Sequence, residues 1–198
     1  MTRIRTQQVP EKALAVVREA RPALAELSGR RKDTRDDQGA PTTIGPAHAV
    51  HVIGLRDLVE GARVSETPAA LRVLERRGAG ITAFYDVTPS ESDPELMQMV
   101  AAVDHPYGPA LERALALADS WAEYRQGEAD LRLLRIPALN TEALLLRVDG
   151  EDEETAIVVR TLQADLKALN PMPLSELMSR LEAPARLILE TDDGRKGS

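Results

Sequence analysis

A chain of 198 residues is long enough for one sizeable core plus an appendage. Its net charge of −7 and sequence pI near 5.1 set its surface against DNA and anionic membranes, and 3% aromatic content is too little for a base-stacking platform. Cysteine is absent, which excludes disulfides, thiol nucleophiles, iron–sulfur clusters and the usual structural zinc sites.

No apolar run approaches the roughly 18 residues that suggest a membrane helix, and no secretory-leader pattern follows Met1. A soluble cytoplasmic protein is the expectation. The densest cationic run, Arg30–Lys32, sits beside Asp33, Asp36 and Asp37, so basic groups are not segregated into a nucleic-acid patch.

Residues 1–27 read as an amphipathic helical arm. Pro10 suits a first turn, Glu11 suits its positive end, and Leu14, Val17, Leu24 and Leu27 recur at near-helical spacing. Pro22 should kink or split that helix. Residues 28–46 carry one large aliphatic side chain, Ile44, among charges, Gly and Pro; such a stretch buries too little to order itself and reads as a flexible linker.

A compact domain is expected over residues 47–190, followed by a polar tail at 191–198. Leu55 to Gly61 offers a helical turn or two. Residues 67–77 fit either a helix or a strand; pairing Ala70–Glu75 with Ile81–Val87 as a β-hairpin is preferred, because the second segment alternates clearly. Leu96 to Val103 is expected as a strand. Pro109 to Arg125 is the strongest helix, striped by Leu111, Ala114, Leu115, Ala118, Trp121 and Ala122.

Leu131–Ile136 and Leu139–Val148 read as strands flanking Pro137, the second apolar on both faces and hence near a sheet's centre. Asp149-Gly150 is a favoured hairpin dipeptide, returning as Thr155–Thr161. Leu174, Leu177, Met178 and Leu181 then mark a covering helix. The expected fold is α+β: a mostly antiparallel sheet of about five to six strands, one long and one or two short covering helices, and the N-terminal helical arm.

Few side chains suggest chemistry. His48 and His51 would share a face on a helix and could ligate a metal, but their β-branched, Gly-flanked surroundings favour an extended segment that splays them as exposed strand-entry residues. Asp104, His105 and Tyr107 precede the strongest helix; His105 is a candidate general acid or base there, against a plain reading in which Pro106 and Pro109 shape the loop. The acids Asp149 and Glu151–Glu154 lack the spacing of a calcium loop and belong in a solvated turn. Glu142 is expected at a strand end in water.

No phosphate loop, dinucleotide fingerprint or nucleophile elbow occurs. No cofactor is expected. The functional expectation is a non-catalytic protein-interaction or self-associating module, with Leu14, Val17, Leu24 and Leu27 of the arm as its binding face and a homo-oligomer as the simplest assembly. The alternative is a small enzyme or ligand-binding protein built on the His105 loop. Nucleic-acid and membrane partners are disfavoured.

Overall fold

A computed structural model describes residues 4–5, 8–27, 42–78, 80–93, 95–104, 107–125 and 128–196. Among them the chain forms nine strands and four α-helices, an α+β protein with predominantly antiparallel pairing. The chain divides into two compact units: an N-terminal unit of Thr6–Ala49 with Ala69–Glu112, and a C-terminal unit of Met1–Arg5, Val50–Pro68 and Arg113–Ser198.

In the N-terminal unit the strand order is β5 (Met97–Asp104), β4 (Gly80–Pro89), β3 (Ala70–Arg77), β2 (Thr42–Val52, whose last three residues belong to the other unit). β3 and β4 form the expected hairpin, with Leu71 opposite Val87 and Arg77 opposite Gly80; the ambiguity over residues 67–77 resolves as strand. The first strand-forming residues of β2, Thr42–Ile44, lie within the stretch expected as linker. Thr42, Thr43 and Ile44 are β-branched, and Ile44 packs on the unit's core, which outweighs the turn-forming Gly45-Pro46 beside them. The rest of the expected linker, residues 28–41, lies outside the described residues.

Helix α1 (Glu11–Leu27) packs on β4 and β5 of its own unit. Its inward line is Ala13 and Val17, buried, with Val16 and Leu24 partly buried beside them and Val9 just before the helix, set against Val73, Ala83, Tyr85 and Val87. The expected stripe was therefore rotated: Val17 is fully buried and Leu24 packs on this core, but Leu14 is half-buried and Leu27 stands 87% exposed. Small Ala13 allows a close approach to the sheet, a role that ranking by side-chain size passes over. The helix is continuous through Pro22, which is exposed.

In the C-terminal unit the order is β6 (Ala129–Ile136), β7 (Thr141–Val148), β8 (Thr155–Arg160), β9 (Pro171–Pro173), all antiparallel, and β1 (Ile4–Arg5) pairs in parallel with β6. Every residue of β7 except Arg147 is buried, as expected of a strand flanked on both sides. Two strands of two and three residues, β1 and β9, together with the start of β2, raise the count above the expected five to six. Such short pieces carry no periodicity to read.

One sheet face of this unit carries Leu134, Ile136, Ala143, Leu145, Ala156 and Val158, covered by helices α2 (Leu55–Val59) and α4 (Leu174–Lys196). The α4 stripe continues as Leu177, Leu181, Ala185 and Ile188, so the helix runs through Pro184 and takes in residues 191–196, expected as polar tail. Helix α3 (Gly108–Arg125) buries Leu111, Ala114, Ala118 and Ala122 as expected.

Candidate functional site

The site builds from the charged end of the C-terminal unit's covered face. Alternation places Arg132 of β6 on the same face as Leu134 and Ile136, and Arg147 of β7 on that of Ala143 and Leu145. Glu154, just before β8, pairs with Arg132 in a close ion pair, both side chains about 15% exposed. Arg132 Nε and Glu154 Oε2 are buried without a hydrogen-bond partner, so the pair uses only part of its capacity.

The 149–154 turn is held from two sides. Leu174 N–H at the start of α4 donates to Glu154 O at 2.8 Å, and Ser175 Oγ donates to the Glu153 carboxylate. Gly150 takes φ 87°, a backbone state open to glycine that makes the turn tight.

Two cavities meet at this turn. The larger, about 810 Å³, lies among Arg63, Val64, Arg132, Arg147, Met178 and the Glu151–Glu154 segment, with Glu66 and Glu182 also on its wall. Its lining carries six carboxylates (Glu66, Glu151, Asp152, Glu153, Glu154, Glu182) against three arginines (Arg63, Arg132, Arg147), a formal balance of −3. The smaller, about 470 Å³, lies among Trp121, Glu151–Glu154, Thr155 and Pro171–Pro173. Glu151 to Glu154 thus line both hollows; Asp149, Asp152 and Glu153 are exposed, as expected of a solvated turn, while Glu151 and Glu154 are half-buried.

Next to this turn the chain's own N-terminal strand is held by charge. Arg5 forks onto Asp130, with Nε donating to Oδ1 at 2.7 Å and Nη2 to Oδ2 at 2.9 Å, and reaches Asp149 Oδ1 at 2.8 Å and Glu128 at 3.5 Å. These side chains are all largely solvent-exposed, so the cluster positions β1 more than it stabilises it.

The two histidines expected at the surface are buried instead, His48 at 4% exposure and His51 at 2%. Burial lowers the His48 pKa to about 4, and the charges of Arg72 and Arg76 push it the same way. Burial also lowers His51, reinforced by Arg132; the Ser65 backbone, Glu154 and Glu66 oppose the shift. Neither ring nitrogen of His51 meets a partner at full hydrogen-bond geometry. Among the described residues no three metal-ligating side chains converge.

Glu142 is likewise buried, at 4% exposure, rather than solvated. It opposes Arg160 across β7–β8 and Arg135 across β6–β7, with charge contacts of 3.5 and 3.8 Å. Of the loop before α3, Tyr107 is exposed, while His105 and the Asp104 side chain, the rest of the candidate acid–base cluster, lie outside the described residues. Sequence reasoning passed over Arg132, Arg147 and Trp121. Arg132 shares β6 with Asp130 and Arg135, and Arg147 shares β7 with Glu142, so nothing in the strands singled the two arginines out.

Among the described residues no helix is long and apolar enough to cross a membrane. In comparison with known proteins, no family model matches the chain, and no curated protein or solved structure does.

Proposed function

We propose that the protein is a non-catalytic binding module whose C-terminal unit takes a positively charged segment of a partner protein into the acid-walled cleft. The observation that carries this reading is the lining itself: a hollow of about 810 Å³ with six carboxylates against three arginines. That volume falls in the range of pockets that hold ligands. The forked seat of Arg5 on Asp130 and Asp149 supports it, since the same turn already accepts an arginine of the chain. The balance of charge disfavours phosphate backbones and anionic lipid headgroups, and a cysteine-free chain suits a reducing, cytoplasmic setting.

The test is calorimetric titration of the full chain with a capped tetralysine peptide. Saturable binding is expected in low salt, weakening as ionic strength rises. A Glu151→Gln/Asp152→Asn/Glu153→Gln variant should lose about tenfold in affinity, whereas Glu11→Gln/Glu19→Gln/Glu26→Gln, with equal net charge, should bind like the parent. Equal losses in both variants would reduce the effect to overall charge and end the proposal.

Self-association is a second reading, and a different observation favours it. β5 ends its unit's strand order, and Leu96, Met99 and Val100 stand exposed along a stretch, Leu96–Val103, that contains no charge and no proline. Such an edge can pair with its copy. Sedimentation velocity should show a concentration-dependent dimer that Val100→Asp abolishes; a monomer at all concentrations removes this reading.

A further inference from the structure

Asp130 is a carboxylate flanked by two arginines on neighbouring strands. In the antiparallel pairing of β6 and β7 it stands directly opposite Arg147, and directly opposed residues share a face of the sheet. In the parallel pairing of β1 and β6 it stands opposite Arg5. Arg5 takes both of its oxygens, at 2.7 and 2.9 Å, and adds a contact of 2.8 Å to Asp149. Arg147 is exposed, forms no ion pair among the described residues, and lines the larger cavity.

Arg5 holds its place weakly. β1 is two residues long, and the side chains of its ion cluster are each 43–65% exposed, a setting in which ion pairs contribute little. A short strand held in this way lies at the low end of local opening free energies. Once Arg5 leaves, Asp130 faces a cross-strand arginine at the spacing where opposite charges attract on a sheet.

We infer that β1 is a latch on the larger cavity: Asp130 passes between Arg5 when β1 is paired and Arg147 when β1 is released. With the latch closed, the charge of Arg147 is left to the cavity, whose lining balances at −3. With it open, Asp130 neutralises Arg147, and six carboxylates face the two remaining arginines, Arg63 and Arg132, a balance of −4. Release therefore favours a positively charged segment in the cleft, and by linkage a bound segment favours release. That consequence rests on the proposed binding of a basic segment; the exchange at Asp130 does not.

Heteronuclear NMR of the full chain reads the exchange, because a guanidinium fixed on a carboxylate gives a protected Nε–Hε resonance. In wild type one such resonance belongs to Arg5 and disappears in Arg5→Gln. The same variant should gain a resonance from Arg147, lost again in Arg5→Gln/Arg147→Gln and in Arg5→Gln/Asp130→Asn. Titrating wild type with capped tetralysine should fade the Arg5 resonance and raise that of Arg147. By calorimetry, Arg5→Gln should bind tetralysine about threefold more tightly than Arg56→Gln, an exposed change of equal charge.

No protected Arg147 resonance in folded Arg5→Gln, or one that survives Asp130→Asn, overturns the latch; the cleft reading then stands wherever tetralysine still binds. Tetralysine that binds without moving either resonance, or equally to Arg5→Gln and Arg56→Gln, overturns the role of β1 as a gate. If tetralysine fails to bind while the resonance passes from Arg5 to Arg147, the cleft reading falls and the exchange stands.

Discussion

Replacing Asp86 by Ala is expected to destabilise the protein by about 3–5 kcal/mol, the usual cost of stranding one partner of a buried ion pair. Arg72 and Asp86 face each other across β3 and β4, with Nε donating to Oδ1 at 2.7 Å and Nη2 to Oδ2 at 2.9 Å, and each side chain is 1% exposed. The guanidinium also stacks over the Phe84 ring, 3.9 Å from its centre. Removing the carboxylate leaves a positive charge that no water reaches. Replacing both partners, as Arg72→Met/Asp86→Leu, removes that charge and should recover most of the loss, because apolar packing substitutes well for a buried pair. Urea unfolding followed by far-UV circular dichroism measures both. A loss under 1 kcal/mol in Asp86→Ala would mean that the Arg72 guanidinium is adequately compensated without Asp86.

Acid should weaken the protein through His48, by up to about 3 kcal/mol. The folded pKa of about 4 lies below the ordinary 6.5, so between those values the unfolded chain binds a proton that the folded chain does not. Stability therefore falls as pH drops from 6.5 to about 4 and levels off below, the full displacement amounting to about 3 kcal/mol. The cause is burial first, then the cations Arg72 and Arg76 that share its surroundings. Above pH 6.5 the imidazole is neutral in both states and the penalty vanishes. Carboxylates add their own acid dependence, so the informative quantity is the difference between wild type and His48→Gln, measured by urea unfolding at several pH values. Wild type should lose more stability than the variant on going from pH 7 to pH 4. Parallel curves would show that His48 is reached by solvent or finds an acceptor when protonated.

These two effects meet on one strand. Arg72 holds Asp86 and also repels a protonated His48, so losing the arginine should ease the acid penalty while costing the ion pair. That coupling belongs to β2 and β3 lying side by side, a placement with no local signature.

The hairpins and their helices were legible because their causes act within about ten residues. Asp149-Gly150 between two apolar runs makes a turn whatever surrounds it, and the stripe of Leu111, Ala114 and Ala118 needs one partner surface of any kind. The all-apolar middle of β7 announced a strand covered on both faces for the same reason.

Burial of polar side chains was not legible, because pairing across long stretches of chain sets it. His48, His51 and Glu142 read as surface residues until parts of the chain distant in sequence pack around them. The α1 seam depended on which face met β4 and β5, and so passed from Leu14 and Leu27 to Ala13 and Val16. The acid turn shows the same division most clearly. Composition and Gly150 determined that a charged turn forms there; only the fold, by bringing Trp121, Arg132 and the start of α4 around it, decided that Glu151 to Glu154 also line two cavities. Local chain geometry is written in neighbouring residues, whereas the dielectric around a charge is created by parts of the chain far from it.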